Sequence, residues 1–297
     1  MKSLFKEFAK LVIKIPALSL QYIYFSYESI LNKLIPGYGY EFREKLINYI
    51  DNESKIVFHK SSNTEINFIL HTPNKICNWR HSSFSYKEPE MLEWIEEFGG
   101  KGAFYDIGAN IGIYSLYYAK KFQHGNVFSF EPSVFNLRQL AKNINANTLN
   151  DRITIISNPL SEDIGVSLFK HSNSSEGGAL SAFGVDYGDD SKLLTVSVEY
   201  NLLGFSLDSL LEIGAIKEPP SLIKIDVDGI EHLILEGAQK TLSLNTCKSV
   251  YIEVNDEFED QSSGVKKILQ NTGFHLKEKR HGKMSTGSPI FNQIWVK

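Results

Sequence analysis

Acidic side chains follow short apolar runs at four points of the chain, and glycines stand beside several of them. The first stretch is Asp106-Ile107-Gly108-Ala109-Asn110-Ile111-Gly112. Gly108 and Gly112 permit a tight turn and close approach of a ligand to backbone. The spacing is GxxxG, and Asn110 stands where a dinucleotide loop needs the glycine that admits a pyrophosphate. Asp106 would also repel a phosphate. The Asp106–Gly112 turn, Ala109 included, therefore suits a ligand with a cationic amine and no phosphate, as S-adenosylmethionine is. Glu131 ends the second apolar run, 19 residues past Gly112 (112 to 131). A carboxylate there can accept hydrogen bonds from both hydroxyls of a ribose.

The third stretch is Lys224-Ile225-Asp226-Val227-Asp228-Gly229-Ile230-Glu231-His232, and the fourth is Glu253-Val254-Asn255-Asp256. Strand alternation would send Asp226 and Asp228 to one side of a sheet if the strand ran that far. Carboxylates gathered in this way repel one another unless a proton, a lysine or a cation intervenes. Two chemistries fit. In the favoured one Asp226, with Glu253 and His232 behind it, takes the proton of an alcohol acceptor. In the other, Asp226, Asp228, Glu253 and Asn255 offer hard oxygen ligands to a divalent cation such as Mg²⁺. Plainer roles stand beside these: Glu231 suits the start of a helix dipole, His232 is an ordinary first-turn helix residue, and Asp226 caps a helix or orients Lys224.

Strands alternating with helices must carry these groups. Ala103–Ile107, Val127–Phe130, Ile153–Ile156, Leu222–Val227 and Ser249–Val254 read as buried strands. Ile111–Lys121, Val134–Ala146, a helix from about Ile230 to Leu244, and Gly264–Asn271 read as helices. Phe274–Glu278 and Phe291–Val296 follow with no helix between them, which suggests an antiparallel hairpin at the sheet edge. Upstream, Lys55–His59 and Ile66–His71 are short strand candidates, and Glu41–Tyr49 and Glu88–Phe98 are helical. Ligands of such sheets bind beyond the carboxyl ends of the strands, where the four acidic stretches fall. The Ser/Gly-rich run from His171 to Asp190 is too long for a plain connection; a substrate lid, a β-hairpin insertion and a tolerated surface loop all fit it. Trp79, Arg80, His81 and Tyr86, just ahead of the core, are candidates to touch an acceptor.

The residues quoted carry a resemblance. YDIGANIGIYSL, FSFEPSVFNLRQLAKNINAN, FSLDSL, LIKIDVDGIEHLILEGA and YIEV occur in the order and spacing of the FkbM family of S-adenosylmethionine-dependent methyltransferases. Trp79-Arg80 and Lys87-Glu88-Pro89-Glu90 resemble that family's lead-in to the core. The resemblance implies an α/β class I methyltransferase (Rossmann-like) fold: a seven-stranded, mostly parallel sheet with one antiparallel edge strand. It implies that Asp106, Gly108, Asn110 and Gly112 surround the methionine part of the cofactor, that Glu131 holds the ribose, and that Asp226 sits at the methyl-transfer site. The expected acceptor, a hydroxyl on a sugar, glycan or secondary metabolite, comes from the family alone. The family usually has Glu where this chain has Asp228, one methylene shorter in reach.

Composition bounds the rest. The 297 residues are 42% hydrophobic and 22% charged with a formal charge of −4, ordinary globular usage and a poor footprint for nucleic acid. Two cysteines, Cys77 and Cys247, make no disulfide framework, and a reducing, cytoplasmic compartment is the simpler expectation. Residues 1–34 hold five lysines against two glutamates, a local +3 that leaves −7 for the remainder. Leu4, Phe5, Phe8, Leu11, Val12 and Ile15 repeat at helical spacing, with Lys2, Lys6, Lys10 and Lys14 as another stripe, and Pro16 is expected to interrupt the helix. Such a segment suits peripheral contact with an anionic membrane, or packs on the main domain or a second subunit. The expected division is a helical extension with lead-in strands over 1–84 and the methyltransferase domain over 85–297. A rival reading is a non-catalytic module of the same fold, recruited to a membrane or glycan-assembly complex through residues 1–34.

Overall fold

The computed structural model describes residues 2–61, 65–283 and 286–297, with side chains throughout except at 2–9 and 11. The chain divides into two compact units, Met1–Glu53 and Ser54–Lys297. The first is a pair of helices, α1 (Lys2–Leu34) and α2 (Tyr38–Asp51). The expected break at Pro16 does not occur, since α1 runs through it. Pro16 leaves the Val12 carbonyl without its donor, but Val12 is 53% exposed and water can serve that group. The pattern at positions 2–8 and 11 lies outside the described side chains. Gly37, at φ +93, turns the chain between the helices. There Arg43 donates to the buried Glu28 carboxylate at 2.5 Å and to the Tyr24 hydroxyl at 3.0 Å. The Gly39 amide donates to Asn32 Oδ1, so close to α1 that a Cβ on Gly39 would meet Asn32 Nδ2 at 2.4 Å.

The second unit opens with an antiparallel pair, β1 (Ser54–Lys60) and β2 (Glu65–His71), then α3 (Lys75–Lys87) and α4 (Pro89–Phe98). Next come β3 (Ala103–Ile107), α5 (Ile113–Lys121), β4 (Val127–Phe130), α6 (Val134–Ala146) and β5 (Ile153–Ile156). Three further strands, β6 (Gly165–His171), β7 (Ser181–Phe183) and β8 (Val198–Gly204), form a separate antiparallel sheet, followed by α7 (Leu207–Glu212). The chain then returns to the main sheet through β9 (Pro220–Ile225), α8 (Glu231–Glu236), α9 (Gln239–Ser243), β10 (Ser249–Asn255), α10 (Glu259–Asn271), β11 (His275–Arg280) and β12 (Ile290–Val296).

The main sheet has seven strands in the order β11-β12-β10-β9-β3-β4-β5. The β10, β9, β3, β4 and β5 strands pair in parallel, and β12 is antiparallel to both its neighbours. This is the class I methyltransferase architecture that the resemblance implied. Strand alternation splits the core into two layers. Tyr105, Ile107, Ile223 and Ile225 join the layer with Leu235 and Leu269; Phe104 and Leu222 join the layer with Trp94 and Tyr118. Position 106 shares the Phe104 face and position 224 the Leu222 face, and the two residues are register partners on β3 and β9. The pairing of Asp106 with Lys224 therefore follows from alternation together with the β3–β9 register.

Residues 54–84, grouped by sequence with the N-terminal extension, pack with the second unit. The Ile69 and His71 amides of β2 donate to Asn147 and Asn143, at the end of α6, at 2.9 and 2.8 Å. The single helix expected over Ile230–Leu244 is two short ones. Gly237 lies between them, and a Cβ there would meet the Ser161 carbonyl at 2.3 Å, so the chain approaches a neighbouring loop too closely for a continuous helix.

Candidate active site

A cleft opens at the carboxyl ends of β3, β4, β9 and β10, and seven of the candidate cofactor, catalytic and metal-ligating residues line it: Gly108, Ala109, Asn110, Glu131, Asp226, Asp228 and Glu253. Phe130, Leu160, Phe169, Phe183, Ile230 and Ile234 give it an apolar wall.

The glycine turn is held from below. Lys224 is 1% exposed; its ammonium donates to the Gly108 carbonyl at 2.7 Å and lies 3.1 Å from Asp106 Oδ1 and 3.8 Å from Asp226. Burial opposes the Lys224 charge, yet the Asp106 and Asp226 carboxylates outweigh it and hold the pKa above its ordinary value. Asp106 also accepts from Ser115 Oγ at 2.6 Å and is fully buried. It does not line the cleft. The expectation that Asp106 meets a ligand amine is corrected: alternation turns it beneath the turn, where it fixes Lys224. Gly112 is likewise outside the cleft, because a Cβ there would strike Leu140 at 2.4 Å. Gly108 is required by close approach, since a Cβ would fall 1.9 Å from the Asp226 carbonyl oxygen, and φ is +77.

Glu131 reaches across from β4. Its two oxygens accept from the Asn110 and Ser133 amides, each at 2.8 Å. Burial pushes its pKa up to about 7, against the pull of those backbone donors. Each oxygen keeps further acceptor capacity toward the cleft.

The strand β9 ends at Ile225, so Asp226, Val227 and Asp228 form a turn and the expected alternation of the two aspartates does not apply. Asp228 has φ +65 and accepts from the Leu180 and Ser181 amides at 2.8 and 3.1 Å. Burial and the neighbouring Asp226 push its pKa up to about 6. Glu231 secures the same turn by accepting from the Val227 and Gly229 amides and from Gln261, with its pKa pushed up to about 7 by burial. Asp226 is left with its side chain 30% exposed in the cleft. Glu253 faces the same space from β10. Burial first, then Asp226, Glu88 and Glu231, hold its pKa well above the ordinary carboxylate range.

His232 does not reach the cleft. It is 8% exposed, packs against Phe258, and burial lowers its pKa. On α8 it follows Glu231 and turns toward α10, which removes it from the catalytic set. Asn255 is also committed elsewhere, donating to the Asp189 carbonyl and accepting from the Glu257 amide. With Asp228 spent on backbone amides, the oxygen set proposed for a divalent cation is not assembled. Among the described residues no group of three or more His, Cys, Asp or Glu side chains stands ready to hold a metal.

Two features escaped sequence reasoning. Lys87 and Glu88 end α3 and begin the next turn; Glu88 accepts from Lys87 at 2.6 Å and from the Tyr114 hydroxyl at 2.5 Å. Lys87 and Tyr114 line the cleft together with Trp79 and Arg80. Of the four acceptor candidates, His81 instead contacts the Ile56 carbonyl, and Tyr86 lies outside the cleft. The second feature is the segment from Glu176 to Ser181. Asn74 donates to the Glu176 carbonyl, Arg80 to Gly177, and both Asn110 and Asn136 to Gly178. Arg138 and Gln139 hold the Glu176 carboxylate. The Ser/Gly-rich run is thus a β-hairpin excursion whose tip is clamped over the cleft by α3, α6 and the glycine turn.

The family model described as "Methyltransferase FkbM domain" matches residues 106–276, which is 171 of the 297 residues. No curated protein sequence matches. Among solved structures, a methyltransferase FkbM from Methylobacillus flagellatus is 16% identical with a TM-score of 0.49 over 75% of this chain; the chain spans only 52% of that one. An O-methyltransferase from Bacillus cereus in complex with SAH is 17% identical with a TM-score of 0.42, over 70% of this chain and 79% of that one. Fibrillarin from Aeropyrum pernix with natively bound S-adenosyl-L-methionine is 11% identical with a TM-score of 0.40, over 67% of each chain. The family match spans the glycine turn, Glu131, Asp226 and Glu253 alike, and by it this chain belongs to the FkbM methyltransferase family.

Proposed function

We propose that the protein is an S-adenosylmethionine-dependent O-methyltransferase acting on a hydroxyl of a sugar, glycan or secondary metabolite. One observation carries the reading: Asp226, Glu253 and Glu131 converge on a single cleft beside a glycine turn, with an apolar wall opposite. The residues fit the cofactor. Carboxylates outnumber cations in the lining, the turn offers no phosphate cradle, and Glu131 keeps acceptor capacity for a diol. Bound there, the cofactor supplies an activated sulfonium methyl group. Gly108, Ala109 and Asn110 would hold its methionine part and Glu131 its ribose.

The remaining chemistry belongs to the chain. Positioning an acceptor oxygen in line at near contact supplies much of the acceleration in such a displacement. Asp226 is placed to take the acceptor's proton, steadied by Lys224 and by the amides that Glu231 fixes. Glu253, whose pKa burial and the neighbouring Asp226 hold above the ordinary carboxylate range, is placed to orient a hydroxyl of the acceptor. The indole of Trp79 offers a ring face at the acceptor side, with Arg80 and Lys87 each 6.0 Å from it. Family resemblance supports the sugar class, and the aromatic face is compatible with it. The test is a methyl-transfer assay on candidate glycans with Asp226→Asn. Transfer should fall by about a hundredfold or more, within the range of general-base loss, with cofactor affinity nearly unchanged. Normal turnover in that variant would remove Asp226 from the base role.

A further inference from the structure

The catalytic reading leaves the first unit unused, and its surface is unlike that of the second. Val12, Ile13, Ile15, Leu18, Leu20, Ile23 and Ile30 of α1 are each more than half exposed, Ile13 reaching 72%. Tyr22 is 76% exposed. At about 100° per residue these positions sweep an arc of roughly 220°. Serines 19, 26 and 29 interrupt it, and the Ser19 hydroxyl is spent on the Ile15 carbonyl. Lys10, Lys14, Gln21, Glu28 and Asn32 fall in the remaining sector of roughly 40°. Glu28 and Asn32 there meet α2 through Arg43 and Gly39. Tyr24 and Tyr27 also pack on Phe42 of α2, and the rest of the apolar arc is left exposed. Exposed apolar patches of this extent mark an interaction surface.

Charge decides the occupant. No acidic residue occurs between Glu7 and Glu28, while Lys10 and Lys14 border the arc, and residues 1–34 carry +3 against −7 for the remainder. A second copy would bring like charges together, whereas anionic headgroups complement them. Tyr22, 76% exposed, has the amphipathic ring that settles at the headgroup level, and Phe25 is half exposed. Among the described residues no helix is long and apolar enough to cross a membrane, so α1 would lie in the interface plane with its lysines snorkelling outward. We propose that α1 docks the enzyme on an anionic lipid surface through the Val12–Ile30 face.

The test is flotation of the full-length chain with vesicles of phosphatidylcholine and phosphatidylglycerol in equal amounts, against pure phosphatidylcholine. Binding to the mixed vesicles should exceed binding to the neutral ones by about tenfold or more and weaken with salt. Leu20→Glu with Ile23→Glu, and separately Lys10→Glu with Lys14→Glu, should each reduce binding by about tenfold or more, with circular dichroism unchanged. Absence of flotation on mixed vesicles overturns the proposal. So does a stable oligomer in light scattering that dissociates in Leu20→Glu with Ile23→Glu while vesicles bind nothing, which would assign the face to a second copy. Neither outcome bears on methyl transfer.

Discussion

Glu131 and Asp226 share a cleft but are held in opposite ways, one by backbone amides and one beside a buried lysine, and each arrangement has a measurable consequence. The Glu131 pKa lies at about 7 in the free protein, above the ordinary Glu value of about 4.3. A raised carboxyl pKa means the folded state binds the extra proton, so this group's contribution to stability declines as pH rises from about 4.3 toward 7. A cationic ligand favours the ionised form. Affinity for S-adenosylmethionine should therefore rise between about pH 5.5 and 8, with proton release on binding near neutrality. Calorimetry in buffers of different ionisation enthalpy reads that release; affinity flat across this range in both the protein and Glu131→Gln would contradict it. Lys224 makes the second case. Lys224→Met would leave Asp106 buried with only Ser115 against it, at a cost of about 3–5 kcal/mol. Adding Asp106→Asn should recover part of the loss. Urea unfolding of both variants checks the pair, and an additive double variant would deny the coupling.

Elements place these residues, and the sequence discloses elements unevenly. Ala103–Ile107, Val127–Phe130, Val134–Ala146 and Ile153–Ile156 are legible to the residue, because the first two are buried, largely apolar parallel strands, the helix carries a clear stripe, and the edge strand Ile153–Ile156 is rich in β-branched residues. The strands β6 and β8 are not, since β8 alternates only between exposed and half-buried positions until its last residue and β6 buries only Phe169 and His171. The helix α3 is also hidden. Its side chains divide between the cleft, β1 and the clamped loop, so Ile76, Cys77, Trp79 and Phe84 form no single stripe; the Asn74 cap on the Cys77 amide is its one local signal. The same limit explains Asp106 and His232. Their spacing in sequence is right for a site, but only strand register and the turn of α8 show that they face inward. The clamp on Glu176–Ser181 yields a prediction at this scale. Asp228→Ala frees the Leu180 and Ser181 amides, which should then exchange hydrogen about tenfold faster or more, as the loss of about 1.5–3 kcal/mol of charge-assisted hydrogen bonding allows. Unchanged protection over residues 176–181 would show that the neighbouring asparagines suffice.

At the scale of the whole molecule, a basic, apolar α1 precedes an acidic remainder, +3 over residues 1–34 against −7 beyond them. Mild overall acidity conceals both, and each half has its own test. Membrane docking rests on α1 alone and leaves the cleft untouched. The cleft can transfer methyl groups only if it binds S-adenosylmethionine. Titration of the full-length protein with S-adenosylmethionine in a calorimeter should give one site per chain. Glu131→Gln should weaken it by about ten- to a hundredfold, the loss of a charged hydrogen-bond acceptor, with thermal stability maintained. No heat of binding at millimolar cofactor, from protein shown folded by circular dichroism, would contradict the account.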